Sequence, residues 1–112
     1  MSGWYELKKN SSGQFHFVLK AANAEVILSS EHYSSRASAE SGIASVQVNS
    51  PLDGRYERKS AKDGKPYFNL KAANGQTIGS SETYSSEAAR DKGIASVKAN
   101  GPSHNIKDLS AL

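Results

Sequence analysis

The chain has 112 residues, no cysteine, and 14 Lys and Arg against 11 Asp and Glu, for a formal charge of +3. That length suits one domain with a core of its own, and the lack of cysteine excludes disulfide staples, thiolate metal sites and cysteine nucleophiles. The charge is slight and well mixed, so a polyanionic partner is permitted without being demanded, and no apolar run nears the roughly 18 residues of a membrane span.

The first residues, Met1-Ser2-Gly3-Trp4-Tyr5-Glu6, carry neither the basic nor the apolar segment of a signal peptide, so the expected location is the cytoplasm. Trp4 to Lys9 predicts a strand with Tyr5 and Leu7 on one side and Glu6 and Lys8 on the other. Asn10-Ser-Ser-Gly13 supplies turn residues. Phe15, Phe17, Leu19 and Ala21 then alternate with His16, Val18 and Lys20, the period of a half-buried strand. A third short strand is predicted over Glu25 to Ser29, after a looser turn at Asn23-Ala24. From Ser34 or Ser35 the pattern becomes helical. A serine N-cap precedes Ala37, Ala39, Ile43, Ala44 and Val46 at intervals of three and four, and Pro51 ends the run.

The same order then recurs. Gly3 to Pro51 lies without a gap over Gly54 to Pro102, an offset of about 51 residues, and about half of the aligned positions are identical. The copy predicts strands at Tyr56 to Lys59, Phe68 to Ala72 and Gln76 to Ser80, and a helix from Ser85 or Ser86 to Ala99. Its turns are Lys62-Asp63-Gly64 and Asn74-Gly75, the latter dipeptide predicting a two-residue type I′ hairpin. The chain is therefore read as one domain, 1–112, made of two repeats, 3–51 and 54–102, with a tail, 103–112. Neither repeat can bury both a helix and a sheet face alone, so the two should share one core. The expected fold is α+β: tandem β-β-β-α repeats form one mainly antiparallel sheet of about six strands, with two helices on one face and an internal pseudo-twofold. Because the repeats pair internally, a monomer is expected, and a half-chain ending near Leu52 should dimerise or fail to fold. Gly42 and Gly93 lie inside the helices, where glycine costs about 0.5–1 kcal/mol relative to alanine, and predict a close approach of each helix to what it packs on.

Leu19-Lys-Ala-Ala-Asn23, Ser30-Glu31, Tyr33-Ser-Ser35 and Gly42-Ile-Ala-Ser-Val46, each with its copy in the second half, resemble the pattern of the YegP-like family of small bacterial proteins of unknown function. The resemblance covers nearly the whole chain. It implies paired β-β-β-α-β motifs in one sheet, with the strand after each helix exchanged between the units. These strands would be Arg55 to Lys59 after the first helix and Asn105 to Leu109, in the tail, after the second. It implies no catalytic residue and no cofactor.

The residues themselves offer little chemistry. His16, His32 and His104 lack a spaced metal partner, and Tyr67 and Thr83 replace the first two in the copy. They read as solvent-facing or incidental. Ser29-Ser30-Glu31 and Ser80-Ser81-Glu82 lack the setting of a serine nucleophile, and the repeated pairs Glu31 with Tyr33 and Glu82 with Tyr84 read as loop closures before a helix. No catalytic group, metal site or cofactor is expected, and the chain is not read as an enzyme. The remaining signal is the strand face opposite the core, with Lys8, Lys20, Lys59, Tyr67 and Lys71 as candidate binding residues alongside Glu6, His16, Val18, Arg55, Glu57 and Asn69. It reads as a solvated sheet face with cross-strand Glu and Lys pairs or as the surface of a non-enzymatic protein-interaction or structural module, taking a protein or peptide on the face or at a sheet edge. The alternative is weak binding of single-stranded nucleic acid, with lysines on phosphates and Tyr67, joined by Trp4, stacking bases.

Overall fold

The computed structural model describes residues 3–111. Three strands, β1 (Trp4–Lys9), β2 (Phe15–Lys20) and β3 (Val26–Ser29), precede helix α1 (Arg36–Asn49). After a short 3-10 turn at Asp53–Arg55 the pattern repeats as β4 (Tyr56–Ser60), β5 (Pro66–Lys71), β6 (Thr77–Ser80) and α2 (Glu87–Asn100), and β7 (Ile106–Asp108) follows. Ser35 and Ser86 cap the helices as expected, accepting the N–H groups of Ser38 and Ala89.

The strands form a seven-stranded sheet in the order β4-β5-β6-β3-β2-β1-β7. The repeats meet at β3 and β6, which run antiparallel with Ser29 opposite Ser80. These are equivalent positions, so the pseudo-twofold passes between them. The strand after α1 is β4, and it pairs with β5 of the second repeat, as the family pattern implies. The tail supplies the strand the resemblance places at Asn105 to Leu109, beyond the six read from the residues: β7 runs parallel to β1, Tyr5 level with Ile106 and Leu7 with Asp108. Beyond β4, at the other edge, the described residues place no counterpart.

The core shows why the repeats cannot part. Tyr5, Leu7, Phe17 and Leu19 from one repeat join Phe68 and Leu70 from the other beneath Ile43, Val46, Ile94 and Val97 of the helices. Each helix straddles the seam, α1 packing on β2, β5 and β6, and α2 on β5, β3 and β2. Two buried phenols fasten the helix ends to this core: Tyr5 Oη donates to the Gly101 carbonyl at 2.6 Å and Tyr56 Oη to the Ser50 carbonyl at 2.7 Å. The close approach at Gly42 and Gly93 is to a tyrosine rather than to the sheet backbone. A Cβ on Gly42 would lie 2.5 Å from the Tyr33 hydroxyl and 2.9 Å from the Phe17 ring, and one on Gly93 would run into the Tyr84 hydroxyl.

Two pairs of equivalent positions break the symmetry where the repeats touch. Leu28 fills the space over its equivalent, Gly79, where a Cβ would lie 2.7 Å from the leucine side chain. Likewise Ser50, fully buried, occupies the room a side chain on its equivalent Gly101 would need.

The hairpin expectations need correction. Each hairpin is a three-residue loop, closed for example by Ala72 N–H on the Gln76 carbonyl and Gly75 N–H on the Ala72 carbonyl, both 2.9 Å. A type I turn followed by one left-handed residue has this form, so only Gly75 is left-handed, at φ 85°, and Asn74-Gly75 is not a type I′ turn. Asn74 instead accepts the Gln76 N–H at 3.0 Å, which needs no positive φ. Nor is the turn at Asn23-Ala24 looser. It has the same bonds, and Ala24 takes the left-handed conformation at φ 69°.

Candidate functional site

The helices cover one face of the sheet and leave the other open. Strand alternation carries the expected residues onto that open face except Arg55, which ends the 3-10 turn and donates its Nε–H to Asn49 Oδ1 of α1 at 2.8 Å: Trp4 lies opposite Lys20, Glu6 opposite Val18, and Lys8 opposite His16. In the second repeat Glu57 lies opposite Asn69 and Lys59 opposite Tyr67, with Lys71 beyond Leu70. Lys8 and Lys20 thus form one cluster, and Lys59, Tyr67 and Lys71 a second, related by the pseudo-twofold and separated by β3 and β6.

Each cluster centres on a glutamate. Glu6, only 7% exposed, accepts the Trp4 indole N–H at 3.0 Å and pairs with Lys20 at 3.3 Å and Lys8 at 3.6 Å. The indole hydrogen bond, and then the lysines, hold its carboxyl below the usual range against the opposing effect of burial. Glu57 pairs with Lys71 at 3.2 Å and Lys59 at 3.8 Å, and the Lys71 hydrogen bond lowers its pKa. All four lysines expected as a phosphate-binding platform are therefore engaged by carboxylates of the same face. Trp4 joins this face too, but Lys107 of β7 sits over its ring, Nζ 4.7 Å from the centroid. The indole is a covered surface rather than an open stacking plate. Val18 is buried among these side chains, and Tyr67 is half-buried.

His16 is not simply solvent-facing. Its ring lies 5.2 Å from that of His32, and its buried Nδ1 has no hydrogen-bond partner. Burial, then the charge of His32, holds its pKa below the ordinary value. This meeting escaped sequence reasoning because it depends on a bridge between Phe15 and Tyr33 that folds the end of β3 back on β2. Among the described residues no three His, Asp or Glu gather as metal ligands.

Among the described residues, three clefts stand out on the helix side. Glu31 and Tyr33 border one of about 280 Å³ together with Asn74 and Gln76 of the opposite repeat. Glu82 and Tyr84 border its equivalent of about 290 Å³ with Asn23 and Glu25. Burial, then the neighbouring glutamate, raises both tyrosine pKa values. The third cleft, about 470 Å³, lies between β4 and the start of α2 and is lined by Arg58, Ser60, Pro66, Ser86, Glu87 and Arg90. Sequence reasoning did not single out Arg58 or Arg90. The available signal was divergence between the repeats, since they stand where the first repeat has Leu7 and Ala39.

Among the described residues no helix is long and apolar enough to cross a membrane. The family model described as a domain of unknown function, DUF1508, matches twice, at residues 10–57 and 61–108. Its repeat thus begins at β2 and ends on the strand after the helix, so β1 lies outside the first match. A UPF0339 protein of Acinetobacter baylyi is 63% identical over 110 residues, 98% of this chain and 99% of that protein. The UPF0339 protein YegP of Escherichia coli is 62% identical over 108 residues, 96% of this chain and 98% of the relative. The solution NMR structure of UPF0339 protein SO3888 from Shewanella oneidensis superposes with a TM-score of 0.93 at 61% identity, covering 99% of this chain and 94% of that one. That of E. coli yegP, titled a protein of unknown function, gives 0.94 at 60% identity, covering 100% and 97%. With the duplicated motif, the seven-stranded sheet and these matches in agreement, the chain belongs to the UPF0339 family, built from two DUF1508 repeats of unknown function.

Proposed function

We propose that the protein is a non-catalytic interaction module, a monomer of the cytoplasm, whose open sheet face binds another protein. The observation that carries this is the internal pairing of the face's charges, Glu6 with Lys8 and Lys20 and Glu57 with Lys59 and Lys71. A phosphate backbone would have to displace those carboxylates, whereas a protein surface is met well by paired charges set among Trp4, Val18 and Tyr67. The tyrosines of the repeated Glu–Tyr pairs are used in packing, each hydroxyl against a helix glycine, while Glu31 and Glu82 stay exposed, which supports a module without chemistry. The repeats close on each other through β3 and β6, which supports the monomer. The test is a photo-crosslinking residue placed at position 67 or, on the exposed helix side, at position 48, in cells. Discrete protein adducts from position 67 alone are expected, and nucleic-acid adducts there would overturn the proposal.

One observation favours a second reading, single-stranded nucleic acid: Lys107 joins the four lysines on this face, against two glutamates. Anisotropy with a labelled strand separates the two. Binding through phosphates loses roughly 0.7 log units per decade of salt for each phosphate, and we expect affinity weaker than about 10 μM at physiological salt. Submicromolar binding that Lys20 and Lys71 substitutions weaken would favour the second reading.

A further inference from the structure

At the β1 edge the chain binds a segment of itself. Tyr5 N–H donates to the Asn105 carbonyl and Leu109 N–H to the Leu7 carbonyl, both 2.8 Å, on either side of the parallel β7 ladder. Asp108, level with Leu7, turns its carboxylate to Arg36 in the first turn of α1, and the same guanidinium reaches Ser110 Oγ at 2.6 Å. The tail thereby closes the gap between the β1 edge and the start of α1.

The β4 edge repeats this geometry with no further strand of the described residues beside it. Tyr56 lies opposite Leu70 and Arg58 opposite Phe68, as Tyr5 lies opposite Leu19 and Leu7 opposite Phe17. The same backbone groups therefore face outward: the carbonyl of Tyr56, both groups of Arg58 and the N–H of Ser60. The chain uses the first outward group itself, because the Tyr56 N–H donates to the Asp53 carbonyl. Where the tail would lie is the cleft of about 470 Å³. Its lining has changed with it. Leu7 and Ala39, buried in the first repeat, correspond to Arg58 and Arg90, which share one oxygen of Asp91 at 3.5 and 3.1 Å, with Asp53 3.8 Å from Arg58 and Glu87 4.0 Å from Arg90, so an incoming carboxylate competes with these for the two guanidinium groups. Glu87 replaces Arg36.

We propose that the β4 edge is a second strand-addition site, which takes an extended acidic segment of another protein as a parallel strand, with a carboxylate level with Arg58 and bound by Arg58 and Arg90. Main-chain bonds supply affinity in such additions and side-chain seats supply specificity. In this site the cations have moved from the first residue of the helix to the strand and the second helical turn. The tail of a second copy is not the occupant, because each tail is already held on its own β1 edge at the effective concentration of a short tether, on the order of millimolar. The site is apart from the open face and does not depend on what that face binds.

The probe is a synthetic peptide with the sequence of residues 103–112, untethered and carrying its aspartate at the required level, titrated into the full-length ¹⁵N-labelled chain. Expected are amide shifts at Arg58, Ser60, Ser86 and Arg90, with new hydrogen-exchange protection at Arg58 and Ser60. Affinity should fall about tenfold for the Asp108→Asn peptide, which leaves the protein unaltered, and for the Arg58→Gln and Arg90→Gln proteins. Shifts confined to β1 and α1, or none at millimolar peptide, would overturn the proposal. So would an Arg58→Leu protein that binds the peptide as tightly or more tightly, since Arg58 would then be a charge that guards the edge against pairing. Self-association of the unmodified chain through Arg58 at micromolar concentration would overturn the choice of occupant.

Discussion

Ala24 is the one non-glycine residue with a left-handed backbone among the described residues, at φ 69°, while its equivalent Gly75 sits at φ 85° in a turn with the same hydrogen bonds. The repeat thus contains its own control. An L-residue in that conformation costs about 1–2 kcal/mol, and glycine removes the cost while giving the unfolded chain back about 0.4–1 kcal/mol of freedom. Ala24→Gly should therefore stabilise the protein by about 0.5–1 kcal/mol. Gly75→Ala should lose a similar amount through the backbone alone, because a Cβ there meets nothing within 4 Å. At this chain length the change corresponds to about 2–5 °C in Tm, upward for Ala24→Gly and downward for Gly75→Ala. Thermal and urea unfolding followed by circular dichroism would measure both, with m unchanged. The two sites are far apart in sequence and in separate hairpins, so the double exchange should return close to the parent. A loss of stability in Ala24→Gly, or a costless Gly75→Ala, would refute the assignment of strain to this turn.

The folded-state pKa of Glu6 lies below its ordinary value of 4.5, so the unfolded chain binds more protons. Its contribution is present above that value and lost as pH falls through the lower folded pKa. Glu6→Gln should flatten the loss of stability in urea midpoints below about pH 4.5, and Glu57→Gln should alter the curve less, its side chain being 39% exposed against 10% for Glu6. Tyr5→Phe leaves the buried Gly101 carbonyl without its phenol and should cost about 1–3 kcal/mol in urea unfolding. Gly42→Ala and Gly93→Ala should differ by differential scanning calorimetry. The first presses on the buried Phe17 ring and should cost about 1–3 kcal/mol. The second meets the half-buried Tyr84 alone, with no second ring in contact, so a shift of that one side chain offset by helix propensity leaves it within about 1 kcal/mol of the parent.

Most of the fold is legible because it is written twice. Alternation through Phe15 to Ala21, the serine caps and the helical spacing of Ile43 and Val46 all rest on local periodicity, which a chain displays residue by residue. What escaped is non-local. The strand at β7 comes from the family resemblance alone, but its parallel register on β1 and the Asp108–Arg36 pair beside it are long-range, and the His16–His32 contact depends on a single bridge after β3. The hairpins misled for another reason: Asn74-Gly75 satisfies two turn types, and Ala24 adopts the turn its neighbours impose despite the strain. On the candidate face, alternation placed Lys8, Lys20, Lys59, Tyr67 and Lys71 on the correct side. Glu and Lys pairs are expected there as well; which lysines each glutamate holds, Lys8 and Lys20 for Glu6 and Lys59 and Lys71 for Glu57, is set by register.

The two asymmetric pairs at the seam decide what the halves can do apart. A symmetric dimer needs one patch to fit itself. Two first halves would bring Leu28 against Leu28 where a glycine now makes the room, and two second halves would leave a leucine-sized void between Gly79 and Gly79, a loss of about 3 kcal/mol or more. Ser50 and Gly101 impose the same rule at the helix ends. Each half has become complementary to the other and no longer to itself, so neither should dimerise alone, and the two expressed as separate chains should recover the fold only when mixed. Tandem linkage removed the need for self-complementarity, and the molecule has since used that freedom in a way that makes the linkage hard to reverse.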